Sequence, residues 1–271
     1  MSGEAVPALV LAGVRAPDEP VAAREGVSLK AFAHVGGRPM IEHVLAALDA
    51  SGRVGTVHVA LPGDAPVETE APGLAARFAD GRAVRVPAGV SPVACVLDTL
   101  DAHPHMPPLL VVTGDHPMLP PGAIARVLDE SADADAAAGF ADTAAVGAAF
   151  PGARRTTLRF RDGGYSGCNV FALMTPSARR LLTAWRGLES KRKRPWRLAL
   201  SIGPGTVARY LLGRLTLRDA VARFGRGLGV DVRAVVVAAP QAAIDVDKLA
   251  DLDLVRAVWP PGSGSSLTPR P

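Results

Sequence analysis

The feature that most constrains the fold is an alternation of short apolar runs and helix-length segments in the first half of the chain. Val6–Leu11, Val54–Leu61, residues 83–86 and Leu109–Thr113 have the composition of strands, and each is followed by a segment long enough for a helix. Strands separated by helices need right-handed crossovers and form a parallel sheet with helices on both faces. The sequence therefore predicts an α/β protein.

Helix-start signals support this alternation. A proline in the first helical position or a capping serine marks helices over about residues 39–48, 91–102 and 120–130. In the doubly wound strand order 3-2-1-4, the first and fourth strands are neighbours although they are far apart in sequence. That order places the loop after Leu11 beside the loop after Val112, where ligands of such sheets bind.

After Gly139 the pattern becomes rich in strand signals. Strands are predicted over residues 144–150, 156–160, 169–173 and 230–238, and helices over residues 176–188, 206–215, 216–224 and 248–258, with Thr216 as a cap. We predict a single domain over residues 1–259 with a helical basic insertion over about residues 185–228. The Pro/Gly/Ser-rich residues 260–271 are expected to be a disordered tail.

Composition excludes several classes of protein. The chain has 271 residues, of which 48% are hydrophobic, so it can bury a real core. Its longest apolar runs are well short of the roughly 18 to 20 residues that a membrane span needs. The N-terminal Met1-Ser2-Gly3-Glu4 lacks the basic start of a secretory signal. A cytoplasmic protein without a transmembrane segment is expected.

The net positive charge of the chain comes from one segment. Between Trp185 and Arg233 there are 12 basic and 3 acidic residues, so the rest of the chain carries a net charge of −5. Arginines on helices are typical of a solvated face. The denser cluster at residues 191–197 could bind a phosphorylated acceptor, an anionic membrane surface or nucleic acid. Because the body of the chain is acidic, nucleic acid is not the expected partner, whereas peripheral membrane contact stays open.

A candidate phosphate-binding loop follows the first strand. Leu11-Ala12-Gly13-Val14-Arg15 ends in an arginine, and Lys30, one of only four lysines, follows fifteen residues later. A glycine at a strand end lets backbone N–H groups approach a polyphosphate, and the two cations suit its oxygens. The alternative is a surface loop with two solvated cations, because neither a GxGxxG nor a Walker A sequence is present.

Acidic residues at two places are candidate ligands of a metal ion. Asp115 comes directly after the fourth strand, where a carboxylate can hold Mg²⁺ or simply begin a turn before Pro117. Asp245 and Asp247 precede the closing helix, where they point to the same side if the segment is extended or else cap the helix.

Taken in order, these motifs resemble the MobA-like NTP transferase family of nucleotidyltransferases over roughly residues 7–258. The resemblance is carried by Leu11-Ala12-Gly13-x-Arg15, Lys30, Gly36-Gly37-Arg38-Pro39-Met40-Ile41, Gly114-Asp115-x-Pro117, Gly167-x-Asn169, Ile244-Asp245-Val246-Asp247 and Ala250-Asp251-Leu252. The chain departs from the family pattern at Val14, which replaces a glycine, and in a longer, acidic segment over residues 16–26.

The resemblance implies a Rossmann-like GT-A fold, an Mg²⁺ cofactor and a set of site residues. Main-chain groups at Leu11, Ala12, Gly13 and Gly114 would contact the nucleotide, Arg15 and Lys30 its triphosphate, Asp115 and Asp247 the Mg²⁺, and Asn169 the acceptor. Arg15, Lys30 and Asp115 would be the catalytic residues. We therefore expect the carboxylates of Asp115 and Asp247 to lie within about 8 Å of each other.

The function predicted on this basis is Mg²⁺-dependent transfer of an NMP from an NTP to a phosphorylated small-molecule acceptor, with release of pyrophosphate. A molybdopterin-type cofactor, a sugar phosphate or another phosphorylated alcohol would serve as acceptor. Two alternatives stay open. One is a GT-A-type glycosyltransferase that uses Asp245-Val246-Asp247 as its metal motif, and the other is a non-catalytic anion-binding protein whose Trp/Arg-rich segment is the working surface.

Overall fold

The structure is a computed structural model that describes residues 5–13, 19–189 and 203–259. Its strands are β1 (Val6–Leu11), β2 (His34–Val35), β3 (Arg38–Pro39), β4 (Val54–Leu61), β5 (Ala83–Pro87), β6 (Leu109–Thr113), β7 (Ala136–Asp142), β8 (Leu158–Phe160), β9 (Gly163–Leu173) and β10 (Val232–Val237).

The helices of the described residues alternate with these strands. They are α1 (Pro20–Glu25), α2 (Met40–Ala50), α3 (Val67–Glu70), α4 (Pro72–Ala79), α5 (Pro92–Ala102), α6 (Pro121–Glu130), α7 (Thr143–Ala149), α8 (Arg179–Glu189), α9 (Pro204–Leu211), α10 (Leu217–Gly227) and α11 (Leu249–Val258). Three short 3₁₀ helices cover Lys30–Phe32, Pro176–Ala178 and Pro240–Ala243.

One mixed, mainly parallel sheet forms the centre of the molecule. Its strand order is β10-β7-β9-β6-β1-β4-β5, with β8 paired to β9. The four strands predicted in the first half of the chain are β1, β4, β5 and β6. Strand β1 is parallel to both β4 and β6, and β4 is parallel to β5, which confirms their predicted order 3-2-1-4. Strand β9 is antiparallel to both of its main neighbours, β6 and β7. The winding therefore reverses between β1 and β6.

Helices cover both faces of the sheet, as predicted. Along β1 the side chains of Ala8 and Val10 enter one core and that of Leu9 enters the other, as the alternation of a strand requires. The first core contains apolar residues of α2, α6 and α11, and the second those of α5 with partly buried residues of α8 and α10. The site described below lies at the carboxyl edge of this two-sided sheet.

One strand prediction was wrong. Residues 144–150 form most of α7 instead, because the Asp142 carboxylate accepts hydrogen bonds from the amides of Ala144 and Ala145 and so starts a helix in alanine-rich sequence. The strand of this region is β7, whose small residues gave little strand signal.

The other boundaries moved by a few residues. The predicted helix over residues 176–188 is a 3₁₀ turn followed by α8, and the helix predicted over residues 206–215 is the shorter α9. Thr216 caps α10 by accepting a hydrogen bond from the amide of Asp219, as predicted. No helix in the described parts of the chain is long and apolar enough to cross a membrane.

The basic segment is described in part. The cluster at residues 191–197 and the tail at residues 260–271 lie outside the described residues. Helix α10 packs on β10, with Leu217 buried, so this part of the segment joins the main fold. The insertion as a unit, and its partner, stay predictions.

A glycine sets the distance between α10 and the sheet, which generates a prediction about stability. A Cβ at Gly225 would lie 2.5 Å from both the Val230 carbonyl oxygen and Val232 Cγ2, whereas a Cβ at Gly227 would meet nothing within 4 Å. Gly225→Ala should lower the free energy of unfolding by about 1–3 kcal/mol. Gly227→Ala should leave it unchanged or raise it by up to about 1 kcal/mol. Urea denaturation of both variants checks this, and equal stabilities would contradict the packing.

Candidate functional site

The loops after β1 and β6 meet at the point where the winding of the sheet reverses. The amide of Gly114 donates to the carbonyl of Leu11 at 2.9 Å, so the two loops are bonded directly. In open α/β sheets the crevice at such a reversal is the usual place for a ligand. The predicted adjacency of these loops is thus present.

Gly114 allows the lysine-bearing 3₁₀ helix to come close to the end of β6. A Cβ on this glycine would lie 3.2 Å from the Cβ of Ala12 and 3.3 Å from that of Ala31. A larger residue would push the Lys30–Phe32 turn away from the strand end. The glycine therefore helps to place Lys30 beside Asp115.

Lys30 bridges the two carboxylates predicted to hold a metal. Its Nζ lies 2.7 Å from Asp115 Oδ2 and 2.9 Å from Asp247 Oδ1. Because both oxygens contact one nitrogen, they are separated by less than the about 8 Å expected for a shared ion. The side chains of Lys30 and Asp115 are 16% and 11% exposed, and that of Asp247 is 43% exposed. Asp115 is consequently buried rather than solvent-facing.

The electrostatics keep this bridge ionised. Burial alone would lower the pKa of Lys30, but the carboxylates of Asp115 and Asp247 outweigh it and raise that pKa. Burial would likewise raise the pKa of Asp115, yet the ammonium of Lys30 holds it below its usual value. The Lys30 ammonium and the Asp115 carboxylate therefore stabilise each other's charged forms.

The third aspartate, Asp245, is engaged differently. Its Oδ1 accepts a hydrogen bond from Arg155 Nη1, and its Oδ2 accepts one from Asn169 Nδ2 at 2.8 Å. Burial first, and then the nearby charges of Asp115 and Asp247, raise the pKa of Asp245 to about 6. Both of its oxygens have protein donors, so Asp247 is the better placed of the pair to bind an ion with Asp115.

Asn169 reaches Asp245 through an unusual backbone conformation. It has a positive φ of 52°, at the place where β9 stops pairing with β6 and shifts its register against β7. Asparagine tolerates this left-handed region better than most residues. The irregularity directs the amide of Asn169 toward the carboxyl edge instead of along the strand.

Backbone contacts fix the loop that carries Asp247. The amide of Val246 donates to the Asp115 carbonyl at 2.9 Å. Asp251 Oδ2 accepts from the amides of Asp247 and Lys248 at 3.1 and 2.9 Å, so it is this residue that caps α11. The sequence left open whether Asp245 and Asp247 cap the closing helix or bind an ion. The capping is done by Asp251 instead.

The residues present suit a hard divalent cation. Asp115 Oδ1 is buried and accepts no hydrogen bond among the described residues, which is costly for a carboxylate oxygen unless a cation compensates it. No group of three or more His, Cys, Asp and Glu side chains in the described residues is arranged to hold a metal ion. Mg²⁺ needs only one or two carboxylates when phosphate oxygens complete its shell.

The structure brings together most of the predicted site residues. Lys30 contacts Asp115 and Asp247, Gly114 directly precedes Asp115, and Asn169 is joined to the group through Asp245. Ala12 lies at the same edge, but its amide already donates to the Ala60 carbonyl at 3.1 Å. Leu11 uses its carbonyl for the bond to Gly114, and a Cβ on Gly13 would lie 3.2 Å from that of Ala88. Val14 and Arg15 lie outside the described residues.

Sequence reasoning missed Arg155. It follows α7 on the connection to β8, next to Arg154 and among many arginines in the chain, so its type and position gave no signal. Only the fold shows that it contacts Asp245 and Asp251 across about ninety residues of sequence.

Comparison with known proteins agrees with this geometry. The MobA-like NTP transferase domain matches residues 8–199, which is more than half of the chain. A hypothetical transferase from Thermus thermophilus is 34% identical to this chain, with a TM-score of 0.71 and coverage of 92% of this chain and 100% of that one. No protein of curated function matches the chain in sequence.

More distant solved structures share the fold alone. A 4-diphosphocytidyl-2C-methyl-D-erythritol synthase from Anaerococcus prevotii has 13% identity and a TM-score of 0.55, with 94% of this chain and 98% of that chain covered. A CMP:2-keto-3-deoxy-manno-octonic acid synthetase complexed with CTP has 18% identity and a TM-score of 0.56, with the same coverages. Because the domain match covers more than half of the chain and the Thermus thermophilus transferase is 34% identical to it, the chain belongs to the MobA-like NTP transferase family, a family of nucleotidyl-transferring enzymes.

Proposed function

We propose that this protein transfers a nucleoside monophosphate from an NTP to a phosphorylated acceptor and releases pyrophosphate. The observation that carries the proposal is the position of Lys30 between the carboxylates of Asp115 and Asp247, at the reversal point of the sheet. An arrangement of one cation and two carboxylates is suited to polyphosphate and its counter-ion. Family membership supports the same chemistry.

In the proposed reaction an oxygen of the acceptor phosphate attacks the α-phosphorus of the NTP. The bond from that phosphorus to the bridging oxygen of the β-phosphate breaks, and both electrons leave with pyrophosphate. An ionised phosphate acceptor needs no general base. Positioning and charge neutralisation then supply most of the acceleration.

Asp115 and Asp247 would hold the Mg²⁺ ion, which supplies neutralisation of the negative charge on the phosphate oxygens. Lys30 would turn from the two carboxylates toward the β- and γ-phosphates and stabilise the leaving pyrophosphate. Asn169, held by Asp245, would lie on the acceptor side, and Gly13 and Ala12 would border the nucleotide. Arg15 would add a second cation to the triphosphate.

The geometry favours this reaction over a glycosyltransferase. A glycosyltransferase using both aspartates of Asp245-Val246-Asp247 as ligands would need Asp245, whose oxygens already accept bonds from Arg155 and Asn169. The non-catalytic alternative is separated by experiment, because it predicts no metal-dependent nucleotide binding. Products decide the matter, because sugar transfer from a nucleotide sugar releases a nucleoside diphosphate instead of pyrophosphate.

The proposed function predicts metal-dependent nucleotide binding and pyrophosphate release. Each of the four NTPs is tested with and without Mg²⁺ by thermal shift, where a ligand at 100 times its Kd adds roughly 2.7 kcal/mol to the free energy of unfolding. Pyrophosphate release is then measured with sugar phosphates and other phosphorylated alcohols as acceptors.

Asp115→Asn and Asp247→Asn should each lower turnover by at least about 100-fold, because an ion ligand is lost.

Asp253→Asn is the matched control for these variants. Asp253 is an exposed aspartate on α11 that pairs with Arg24, away from the bridge. Its replacement should leave turnover near that of the wild-type protein. Release of a nucleoside diphosphate from a nucleotide sugar, or the absence of any Mg²⁺-dependent nucleotide binding, would refute the proposed reaction.

A second prediction concerns Lys30, whose ammonium lies between the two proposed ion ligands. Lys30→Met should tighten Mn²⁺ binding in the absence of nucleotide, because the carboxylates of Asp115 and Asp247 then lose the ammonium that lies between them. The same variant should lower pyrophosphate release by at least about 100-fold, because the leaving group loses a cation. Electron paramagnetic resonance of free Mn²⁺ measures the first effect.

Lys248→Met controls for the loss of a positive charge near the site. Lys248 is an exposed neighbour of Asp247, and none of the described ion pairs of the bridge involves it. Its variant should change neither Mn²⁺ affinity nor turnover by more than about twofold. Weaker Mn²⁺ binding in Lys30→Met than in the wild-type protein would show that the carboxylates are not the ion site.

A further inference from the structure

Arg155 is the most enclosed cation near the site. Its side chain is 9% exposed and bonds three acceptors: Nη1 the Asp245 carboxylate, and Nη2 both the Asp245 carbonyl at 2.7 Å and Asp251 Oδ1 at 3.0 Å. Its planar group thus contacts the side chain and the main chain of one residue and the side chain of another. A rigid fork of donors of this kind fixes geometry better than a single ammonium does.

Both residues that Arg155 contacts are connected to the proposed ion ligands, Asp251 by hydrogen bonds and Asp245 through the peptide that it shares with Val246. Asp251 uses its second oxygen to accept the amides of Asp247 and Lys248. Asp245 is two residues before Asp247, and between them the Val246 amide bonds the Asp115 carbonyl at 2.9 Å. A continuous series of hydrogen bonds therefore runs from Arg155 to the main chain of both proposed ion ligands.

Arg155 itself lies outside the bridge formed by Lys30. All three of its bonds go to Asp245 and Asp251, while Lys30 bonds the other two carboxylates. Arg155 can therefore act on an ion between Asp115 and Asp247 in two ways, through its charge and through the loop over residues 245–247, and a lysine in its place keeps the charge while it removes the fork. Lys30 and Arg155 therefore have separate roles, because they contact different carboxylates.

We propose that Arg155 is a positioning residue that fixes the loop carrying Asp247 against Asp115. The effect on metal binding and turnover rests on the proposed function, whereas the effect on the loop does not. Without the guanidinium, the Asp245 carbonyl and one oxygen of Asp251 lose their donor. The loop then opens more often, and the two ion ligands spend less time at the separation that an ion requires.

The test compares Arg155→Met and Arg155→Lys with Arg77→Met. Arg77 is a control of similar enclosure, 13% exposed, whose fork pairs with Asp49 between α4 and α2. Amide hydrogen exchange is followed at Val246, Asp247 and Lys248, all of which donate bonds in this network. Mn²⁺ affinity without nucleotide, the Mg²⁺ dependence of turnover and the KM for NTP are measured on the same samples.

In Arg155→Met, exchange at these three amides should accelerate at least tenfold while amides of β1 stay protected. The looser loop should lower Mn²⁺ affinity at least tenfold in spite of the lost positive charge, which by itself would favour the ion, and the KM for NTP at saturating Mg²⁺ should change less than threefold. Arg155→Lys should recover part of the loss, since it keeps the charge but only one donor centre. Arg77→Met should leave all of these values unchanged even if its melting temperature falls.

Unchanged exchange at Val246, Asp247 and Lys248 in both Arg155 variants would overturn the inference, whatever the activity. Faster exchange with unchanged Mn²⁺ affinity in Arg155→Lys, which keeps the charge, would also overturn it, because the loop would then not set the ion ligands. A wild-type protein that releases no pyrophosphate would count against the proposed function instead, and the exchange and Mn²⁺ measurements would still decide the role of Arg155. If Arg155→Met does not fold, the lysine variant alone carries the comparison.

Discussion

Charge balance at the carboxyl edge of the sheet is the constraint on which this site depends. Asp115, Asp245 and Asp247 lie close together, and a group of carboxylates is unfavourable in a partly buried place without cations. Lys30 contacts Asp115 and Asp247, and Arg155 contacts Asp245 and a fourth aspartate, Asp251. Burial and then the charges of Asp115 and Asp247 raise the pKa of Asp245 to about 6, and among these described side chains the carboxylates outnumber the cations, which suits a further cation.

Three local features of the backbone make this arrangement possible. Gly114 leaves out a side chain so that the Lys30 turn can pack at the end of β6. Asp251, in the first turn of α11, accepts the amides of Asp247 and Lys248 and so caps the helix. Asn169 adopts a positive φ where β9 leaves β6, and unusual backbone of that kind clusters at functional sites.

The sequence predicted the elements that depend on local pattern. The four parallel strands of the first half, their order, and the capping of α10 by Thr216 followed from apolar runs and capping residues. The strand predicted over residues 144–150 was wrong, because alanine-rich segments lack periodicity and because the capping side chain of Asp142 starts a helix there. The contacts of Arg155 could not be predicted from the sequence, since they join a loop to α11 through the tertiary fold.

The bridge also couples the binding of the nucleotide to that of the metal ion in the proposed reaction. Lys30 can neutralise the carboxylates of Asp115 and Asp247 or the phosphates of a nucleotide, but its single ammonium does not serve both fully. A metal ion held by the carboxylates would free the lysine to bind the phosphates, and phosphates that bind the lysine would leave the carboxylates to the metal. Each ligand therefore lowers the free energy needed to bind the other, and by linkage the coupling must be equal in both directions. Nucleotide and metal are therefore expected to bind cooperatively. Arg155 keeps the loop over residues 245–247 in place while Lys30 moves between the carboxylates and the phosphates.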